Sequence, residues 1–349
     1  AGFSVGRMQR DFHHGLLDTG QQAMETSSEI VLSSRDRLAD DVRRDLQRSP
    51  KQLQPRYLYD ALGSLLFEAI CELPEYRITR AELNLLTAHA VAIGAGVASP
   101  LTLVELGGGN GEKLALLLAP LVEVGVDVRV ELVDVSATAL ELATRTLARF
   151  LQVPVTGRQA TYEDGLRRIA DQRAADGGVG GMMVAFLGSN IGNLDPPAAR
   201  AFLAIVRAAL RPGDRLVLGT DLVKPESELV AAYDDPLGVT SAFNRNLLVR
   251  LNRELGANFD LDRFAHRAVW NSAESRVEMH LESLRAQTVS IPGAGCEVAF
   301  AEGESIWTES SYKYEKARLV ALGADLGLAR HDQWVDEESQ FAVTAFNVV

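Results

Sequence analysis

Residues 103–113 read LVELGGGNGEK, and this stretch decides the fold. Four apolar residues, Leu101, Leu103, Val104 and Leu106, predict a buried strand, and the leucines at 114 and 116–118 predict the start of a helix. Glycine tolerates positive φ and lets backbone approach a ligand closely, so the glycines between them favour a tight turn. Strand, glycine turn and helix indicate the nucleotide-binding crevice of a doubly wound α/β sheet, although an ordinary strand-to-helix turn is the alternative.

A second predicted strand, residues 128–133, ends in Asp134, whose carboxylate can accept hydrogen bonds from both hydroxyls of a ribose. The pattern Glu105-x-Gly107-x-Gly109 together with this acid resembles the S-adenosylmethionine (SAM) site of class I methyltransferases. It is less similar to the dinucleotide fingerprint, which needs a third glycine for the helix that binds pyrophosphate. The resemblance therefore implies SAM as the cofactor.

Composition limits the class of protein. The chain has 349 residues, 47% of them apolar, which is enough for a large core in one or two domains. Its net charge of -12 argues against nucleic-acid or anionic-membrane partners. The two cysteines fit a reducing compartment and are too few for a thiolate zinc site, so no metal centre is expected.

We expect a monomer in the cytoplasm. No stretch approaches the length of a membrane span, and residues 1–22 lack the apolar core of a signal peptide.

Strands and helices alternate from Leu101 to about Asp221, which predicts a parallel sheet covered on both faces. After the first two, strands are predicted at 153–159, 181–187 and 215–219. The alternation then gives way to helices over 226–254 and antiparallel strands over 266–284 and 288–291. A helix at 314–327 and strands at 329–335 and 341–348 complete the sheet, the last strand antiparallel.

This order predicts a class I SAM methyltransferase fold, a Rossmann-like doubly wound sheet with a terminal antiparallel strand, plus an α+β substrate-binding domain. Residues 1–26 are expected to be a flexible terminus. Residues 27–81 and 224–313 are assigned to the substrate-binding domain, and residues 82–223 and 314–349 to the SAM-binding domain. The ligand is expected at the interface between domains, a common place for substrate sites.

Several polar residues stand where chemistry is expected. Gly188 and Asn193 follow the fourth strand, at the edge where α/β folds bind ligands, although Asn193 could instead cap the next helix. Three tyrosines in polar contexts, Tyr59, Tyr76 and Tyr233, suit amine and carboxylate recognition, or are rim and core residues. Glu309 and Ser311 would share one face of an extended strand, which is either a recognition surface or a solvated strand end.

A set of motifs that keep their order from about Ser49 to the C-terminus lies at residues 57–67, 73–76, 79–80, 186–194, 219–224, 242–246, 270–272 and 308–313. In these motifs the chain resembles the histidine Nα-methyltransferases of ergothioneine biosynthesis.

The resemblance implies roles for individual residues. The SAM-binding positions correspond to Tyr76, Gly107, Lys113 and Asp134. The α-amine and α-carboxylate of the amino acid would be held by Tyr59, Asn193 and Tyr233, in the crevice that also contains Gly188. Glu309 and Ser311 would read the imidazole, and Met279 would pack against it.

One departure concerns the adenine. The family often has an acid before an aromatic residue after the third strand, whereas this chain reads Ala160-Thr161-Tyr162. Tyr162 could still pack on the adenine, but the acceptor for its amine must come from elsewhere, with Glu163 as a candidate. Val135-Ser136 also differs from family variants that carry a further acid.

The resemblance thus implies SAM-dependent trimethylation of the α-amino group of L-histidine to hercynine. Methyl transfer needs a neutral amine, which Tyr59 as the catalytic residue and a desolvated pocket would favour. One alternative is an N-methyltransferase of another aromatic amino acid such as tryptophan, against which Glu309 argues. Another is a non-catalytic SAM-fold scaffold, against which the complete glycine turn, Asp134 and Asn193 argue.

Overall fold

The computed structural model describes residues 34–150 and 152–349. The flexible terminus predicted for residues 1–26 lies outside these residues. The α-helices that they form are, in chain order, α1 (Ser34–Leu46), α2 (Ala61–Cys71), α3 (Ile78–Gly94), α4 (Glu112–Glu123), α5 (Ala137–Leu147), α6 (Tyr162–Ala175), α7 (Pro196–Ala209), α8 (Glu226–Ala231), α9 (Val239–Leu255) and α10 (Lys316–Asp325). None of them is long and apolar enough to cross a membrane.

The β-strands of the described residues form three sheets. In chain order they are β1 (Lys51–Gln52), β2 (Leu101–Leu106), β3 (Val128–Asp134), β4 (Val155–Gln159), β5 (Gly181–Phe186), β6 (Arg215–Asp221), β7 (Phe264–Asn271), β8 (Arg276–Ser283), β9 (Gln287–Ile291), β10 (Cys296–Phe300), β11 (Ser305–Tyr312), β12 (Leu328–Asp336) and β13 (Phe341–Val348).

The largest sheet has seven strands in the order β12-β13-β6-β5-β2-β3-β4. From β6 to β4 all neighbours are parallel, whereas β13 pairs antiparallel with both β12 and β6. β2 and β5 are buried at every position, as continuous apolar strands are when helices cover both faces of a sheet. The predicted doubly wound fold with a terminal antiparallel strand is confirmed.

Two apolar cores lie on opposite faces of this sheet. On one face, Leu103 of β2 packs with residues of α3, α4 and α5, including Leu86 and Leu117. On the other face, Val104 packs with residues of α6, α7 and α10, including Leu203. Successive residues of a strand point to opposite faces, so adjacent apolar residues in β2 anchor both helical layers. This packing holds the carboxyl ends of β2, β3, β5 and β6 at one edge.

A smaller sheet of four strands has the order β1-β11-β8-β7. β1 pairs parallel with β11, and the other neighbours are antiparallel. α9 contacts β7 and β8 on this sheet and also contacts α2. Phe243, Leu281 and Ile306 belong to the same apolar core as Leu103, so the core of the small sheet is continuous with one face of the large one. β9 and β10 form a separate hairpin.

Most predicted elements are present, with shifted ends. The helical region predicted for 226–254 is two helices, because the turn between them contains Pro236 and ends at Gly238, whose φ is 75°. α5 ends at Leu147, whereas the sequence pattern predicts a helix over 137–151. Three strands, β1, β10 and β11, were not predicted; β11 carries the polar run Thr308-Glu309-Ser310-Ser311, whose burial depends on tertiary packing.

Candidate active site

The glycine turn after β2 has the conformation that its sequence predicts. Gly107 has a φ of 74° and Gly109 a φ of 54°, both in the left-handed region that favours glycine. A Cβ atom on Gly107 would lie 2.7 Å from the Tyr162 hydroxyl and 3.0 Å from Asn190 Nδ2. The position therefore excludes a side chain for two independent reasons, and the backbone there stays accessible at the start of α4.

Asp134 lies beside this turn. β2 and β3 are neighbours, and the Gly107 amide donates to the Val133 carbonyl at 2.8 Å. Asp134 is half-buried, and one of its oxygens accepts a hydrogen bond of 2.8 Å from the Ser136 amide. Burial raises the pKa of the Asp134 carboxyl, although the amides of Val135 and Ser136 oppose this effect. The carboxylate is thus placed to accept hydrogen bonds next to the glycine turn.

Tyr162 completes this part of the site. It is the first residue of α6, and its ring packs edge-to-face on Phe186 with centroids 5.3 Å apart. Burial raises the pKa of its phenol, and the negative charge of Asp134 adds to this. Thr161, which stands before the aromatic residue, caps α6 by accepting from the Asp164 amide at 3.3 Å. Thr161, which stands where the family often has an acid, therefore caps a helix in this chain.

A buried carboxylate connects the glycine turn with the loop after β5. Glu82 of α3 is fully buried and lies 2.7 Å from Lys113 Nζ. The Gly188 amide donates to both of its oxygens, at 3.0 and 2.8 Å. Burial disfavours the charge of Lys113, but Glu82 outweighs burial and raises the pKa of the ammonium. A Cβ on Gly219 would lie 1.8 Å from Glu82 Oε1, which explains the glycine in the motif at 219–224.

Glu105 lies directly beneath the turn with an unsatisfied oxygen. It is buried, and its Oε2 atom has no hydrogen-bond partner among the described residues. Burial raises the pKa of Glu105 to about 8, Lys113 lowers it, and the charges of Glu82 and Asp134 raise it further. An orphaned buried carboxyl oxygen is costly unless a ligand completes its hydrogen bonding, so it supports a polar ligand at this turn.

A cavity adjoins the turn on the side of the small sheet. It is lined by all seven residues predicted to bind the amino acid, namely Tyr59, Gly188, Asn193, Tyr233, Met279, Glu309 and Ser311. Tyr76, which the sequence assigned to the cofactor, also lines this cavity. Its ring meets that of Tyr233 edge-to-face at 6.2 Å, so the structure groups it with the amino-acid residues.

Aromatic rings form one wall of the cavity. Tyr59 meets Phe67 at 5.5 Å and Phe243 at 5.4 Å between centroids, both edge-to-face. Although Tyr59 is 37% exposed where it lines the cavity, burial raises the pKa of its phenol well above the usual value, and Glu309 adds to this. Burial also raises the pKa of the Tyr76 phenol. Both phenols therefore stay neutral and can donate or accept hydrogen bonds.

The floor of the cavity is polar and buried. The Tyr233 hydroxyl donates to Ser311 Oγ at 2.8 Å. Lys313 Nζ donates to the Tyr233 oxygen at 2.9 Å and to Ser311 Oγ at 2.8 Å, and lies 2.9 Å from Asp221 Oδ2. The other oxygen of Asp221 lies 2.6 Å from Lys224 Nζ. Burial disfavours the charge of Lys313, but Asp221 and Tyr233 outweigh burial and raise its pKa.

Glu309 and Met279 lie opposite each other on β11 and β8. A register shift interrupts the pairing of β11 between Trp307 and Glu309; beyond it the alternation is regular, so Glu309 and Ser311 share one face and both line the cavity. Glu309 is 7% exposed, and no hydrogen bond to its carboxylate occurs within the described residues. Burial raises its pKa to about 7, and the charge of Lys313 partly opposes this. The interpretation of Glu309 as a solvated strand end is wrong.

Asn193 is exposed at the end of a short 3₁₀ turn, Asn190–Asn193, and lines the cavity. The cap of α7 is Asp195, which accepts from the Ala198 amide at 2.8 Å, so the alternative role of Asn193 as a helix cap is wrong. Asn190, which the sequence analysis did not single out, lies between Gly107 and Gly188. Neither Glu82 nor the role of Lys313 was predictable from the sequence, because a single charged residue carries no local pattern.

Comparison with known proteins gives a consistent result. The profile of a family described as "Histidine-specific methyltransferase, SAM-dependent" matches residues 38–348. The histidine N-alpha-methyltransferase of Mycolicibacterium smegmatis is 42% identical over 313 residues, which are 89% of this chain and 95% of that protein. That of Mycobacterium tuberculosis is also 42% identical, over 87% of this chain and 92% of its own. Ergothioneine biosynthesis protein 1 of Neurospora crassa is 27% identical over 93% of this chain, but over 36% of its own length.

Proposed function

This chain belongs to the histidine-specific, SAM-dependent methyltransferases, and from this premise we propose that it trimethylates the α-amino group of L-histidine to hercynine, a step of ergothioneine biosynthesis. The observation that carries the proposal is Glu309, a buried carboxylate without a partner among the described residues, two residues from the Ser311 hydroxyl in one cavity. Such a pair suits a side chain that both donates and accepts a hydrogen bond, as imidazole does.

The residues at the glycine turn fit SAM. Gly107 leaves room for close approach, Asp134 suits the ribose hydroxyls, and the orphaned oxygen of Glu105 requires a polar partner. Tyr162 is placed beside the turn for contact with the adenine, and Lys113 contributes charge next to Glu82. When bound, SAM supplies an electrophilic methyl group on a sulfonium.

The amino-acid backbone is assigned to the tyrosine end of the cavity. Tyr59, Asn193 and Tyr233 would hold the α-amine and α-carboxylate beside Gly188, and we assign Tyr76 to the same group because it contacts Tyr233. The Tyr59 phenol, whose raised pKa keeps it neutral, would accept an N–H of the amine and leave the nitrogen lone pair free. The aromatic wall excludes water and disfavours the ammonium form, which cannot react.

The ring is assigned to the other end. Glu309 would accept from one ring nitrogen, the Ser311 hydroxyl would donate to the other, and Met279 would pack on the ring. An apolar side chain would leave the Glu309 carboxylate buried and unpaired, which costs about 1–3 kcal/mol or more for a charged group. This penalty would favour histidine over tryptophan.

We propose that residues 27–81 and 224–313 form the substrate-binding domain and that residues 82–223 and 314–349 form the SAM-binding domain; residues 27–33 lie outside the described structure. The small sheet, which takes its strands from residues 51–52 and 264–312, supports the division. We further propose a monomer that works in the cytoplasm without nucleic-acid, membrane or metal partners. The net charge of -12 supports the exclusion of anionic partners.

The test is product analysis by mass spectrometry after incubation with SAM and histidine, its Nα-methylated forms, or tryptophan. We expect successive addition of methyl groups to histidine, ending at the trimethyl betaine. Preferred methylation of tryptophan would support the alternative substrate. Absence of both SAM binding and methyl transfer would support the scaffold alternative.

A further inference from the structure

The polar floor of the cavity converges on one buried ammonium. Lys313 Nζ contacts Asp221 Oδ2 at 2.9 Å, the Tyr233 hydroxyl at 2.9 Å and Ser311 Oγ at 2.8 Å. An ammonium has three N–H groups, so these three partners satisfy all of them. Lys313 therefore has no free hydrogen for a ligand and acts on the cavity only through its neighbours.

The hydroxyl hydrogens of Tyr233 and Ser311 determine which hydrogen bonds these residues can donate to a ligand. The Tyr233 and Ser311 hydroxyls carry one hydrogen each, and each oxygen already accepts one from Lys313. One of the two hydrogens lies between them, in the bond of 2.8 Å from Tyr233 to Ser311. The remaining hydrogen, that of Ser311, is free for the cavity. Because Lys313 donates to both oxygens, the Tyr233–Ser311 pair is left with one hydrogen that it can donate to a ligand.

The acceptor of the cavity is Glu309. It lies on β11 two residues before Ser311 and four before Lys313, which directly follows the strand. It is buried and has no hydrogen-bond partner among the described residues. One donor and one acceptor side by side match a neutral imidazole, which has one accepting nitrogen and one N–H. An indole has an N–H but no accepting nitrogen, and an imidazolium has two N–H groups and no acceptor.

We propose that Lys313 is a positioning residue: its ammonium, anchored by Asp221, fixes the direction of the Tyr233–Ser311 hydrogen bond and keeps Glu309 ionised as the acceptor, so that the cavity selects the neutral ring of histidine. This inference rests on the proposed function and adds the residue that would set its selectivity. Lys313 touches no ligand atom in this scheme.

The charges around Glu309 determine the direction in which its pKa changes when Lys313 is removed. Among the described residues, the titratable groups that line the same cavity are the Tyr59, Tyr76 and Tyr233 phenols, and Lys313 contacts Tyr233 and Ser311, with Asp221 and Lys224 behind it. Other titratable groups contact the lining through the backbone: Glu82 at the Gly188 amide, His266 at the Tyr233 carbonyl and Asp235 at the Thr240 amide. On β8, Glu278 and His280 alternate with Met279, face away from the cavity and pair with each other at 3.0 Å.

Burial raises the pKa of Glu309, and the ammonium of Lys313 opposes that rise. Removing Lys313 must therefore raise this pKa further. Removing the negative charge of Asp221 must lower the pKa of Glu309, because that charge then no longer offsets the positive charge of Lys313.

The experiment compares Lys313→Met with Lys224→Met. Both variants remove a lysine that pairs with Asp221, but Lys224 is partly buried and contacts Asp221 and the Ser339 carbonyl rather than Tyr233 or Ser311. Histidine affinity is measured by calorimetry with S-adenosylhomocysteine present, on both sides of pH 7, and SAM affinity is measured separately.

We expect Lys313→Met to weaken histidine binding about 10- to 100-fold, to change SAM affinity less than about twofold, and to move the acidic limb of histidine binding to higher pH. Lys224→Met should change the histidine affinity and the pH profile much less than Lys313→Met does, because Lys224 contacts neither Tyr233 nor Ser311. Equal behaviour of the two lysine variants, or an unmoved acidic limb in Lys313→Met, would overturn the inference.

A second variant keeps the test decisive if Lys313→Met does not fold. Asp221→Asn preserves the shape of the side chain and should move the acidic limb of histidine binding to lower pH, which is opposite to the effect of removing Lys313. Movement of this limb to higher pH would contradict the proposal. Failure of the proposed function itself is distinguishable, because the wild type would then produce no methylated histidine, whatever these variants do.

Discussion

We expect Glu309→Gln to raise the free energy of unfolding of the protein and to lower its activity on histidine. Burial raises the pKa of this carboxyl from 4.5 to about 7. A difference of roughly 2.5 pH units, at about 1.4 kcal/mol each, means that the ionised group destabilises the folded protein by about 3 kcal/mol. Glutamine has nearly the same shape and carries no charge to desolvate.

The sign of the pH dependence follows from linkage. Because the folded pKa is the higher one, protonated Glu309 contributes its full stability below about pH 4.5 and loses it as the pH rises through about 7. The variant should therefore exceed the wild type in free energy of unfolding by about 3 kcal/mol near pH 8 and by almost nothing near pH 4.5. Urea denaturation at the two pH values measures this difference.

Glu278→Gln is a matched control on the neighbouring strand. Burial would raise the pKa of Glu278, but hydrogen bonds from Asn271, Arg276 and His280 outweigh it and lower the pKa. The same chemical change should therefore reduce stability near neutral pH. Histidine should stabilise the wild type more than Glu309→Gln, since it supplies the missing partner of the carboxylate. A Glu309→Gln protein no more stable at pH 8, or equally stabilised at both pH values, would refute the assignment of a desolvated, unpaired carboxylate.

Three further predictions concern the two ends of the site. Asp134→Ala should weaken SAM binding by roughly 1.5–3 kcal/mol in calorimetry, through loss of charge-assisted ribose contacts, and unchanged affinity in a folded variant would disprove that contact. Asn193→Ala and Tyr233→Phe should raise the KM for histidine more than that for SAM; the reverse pattern in steady-state kinetics would mean that the two sites are exchanged. Glu309→Ala should lower the ratio of histidine to tryptophan kcat/KM, and Met279→Val added to it should lower the ratio further by opening space; a ratio that stays constant would remove the carboxylate from substrate recognition.

The large sheet was predictable because its signal is local and repeated. Each βα unit carries a largely apolar strand, a turn and an amphipathic helix, and β2 and β5 are buried over their whole length. Helix ends were less predictable, as at α5, because the last turn depends on packing and capping. The amino-acid residues were found through resemblance, since isolated tyrosines such as Tyr59 and Tyr233 have no period that marks them as functional.

The small sheet and the buried charges were harder to predict. β11 is half polar, and it is a strand because Met279 on β8 and Lys51 and Gln52 on β1 flank it. Glu82 and Lys313 look like ordinary surface residues until the fold encloses them, and their roles depend on partners about 30 to 105 positions away in sequence. Such roles belong to tertiary structure and leave no trace in local sequence.

The position of β13 has a consequence for biosynthesis. This strand, Phe341–Val348, fills the gap between β6 and β12 and is buried along almost its whole length. Until the ribosome has released residue 348, β6 therefore presents an unpaired apolar edge, the kind of surface that recruits other chains. Completing this sheet requires a long-range pairing of β13 with β6, about 120 residues earlier, which is intrinsically slow. We expect the nascent chain to depend on chaperones until β13 has been synthesised, and premature termination within β13 to yield aggregates rather than a smaller folded protein.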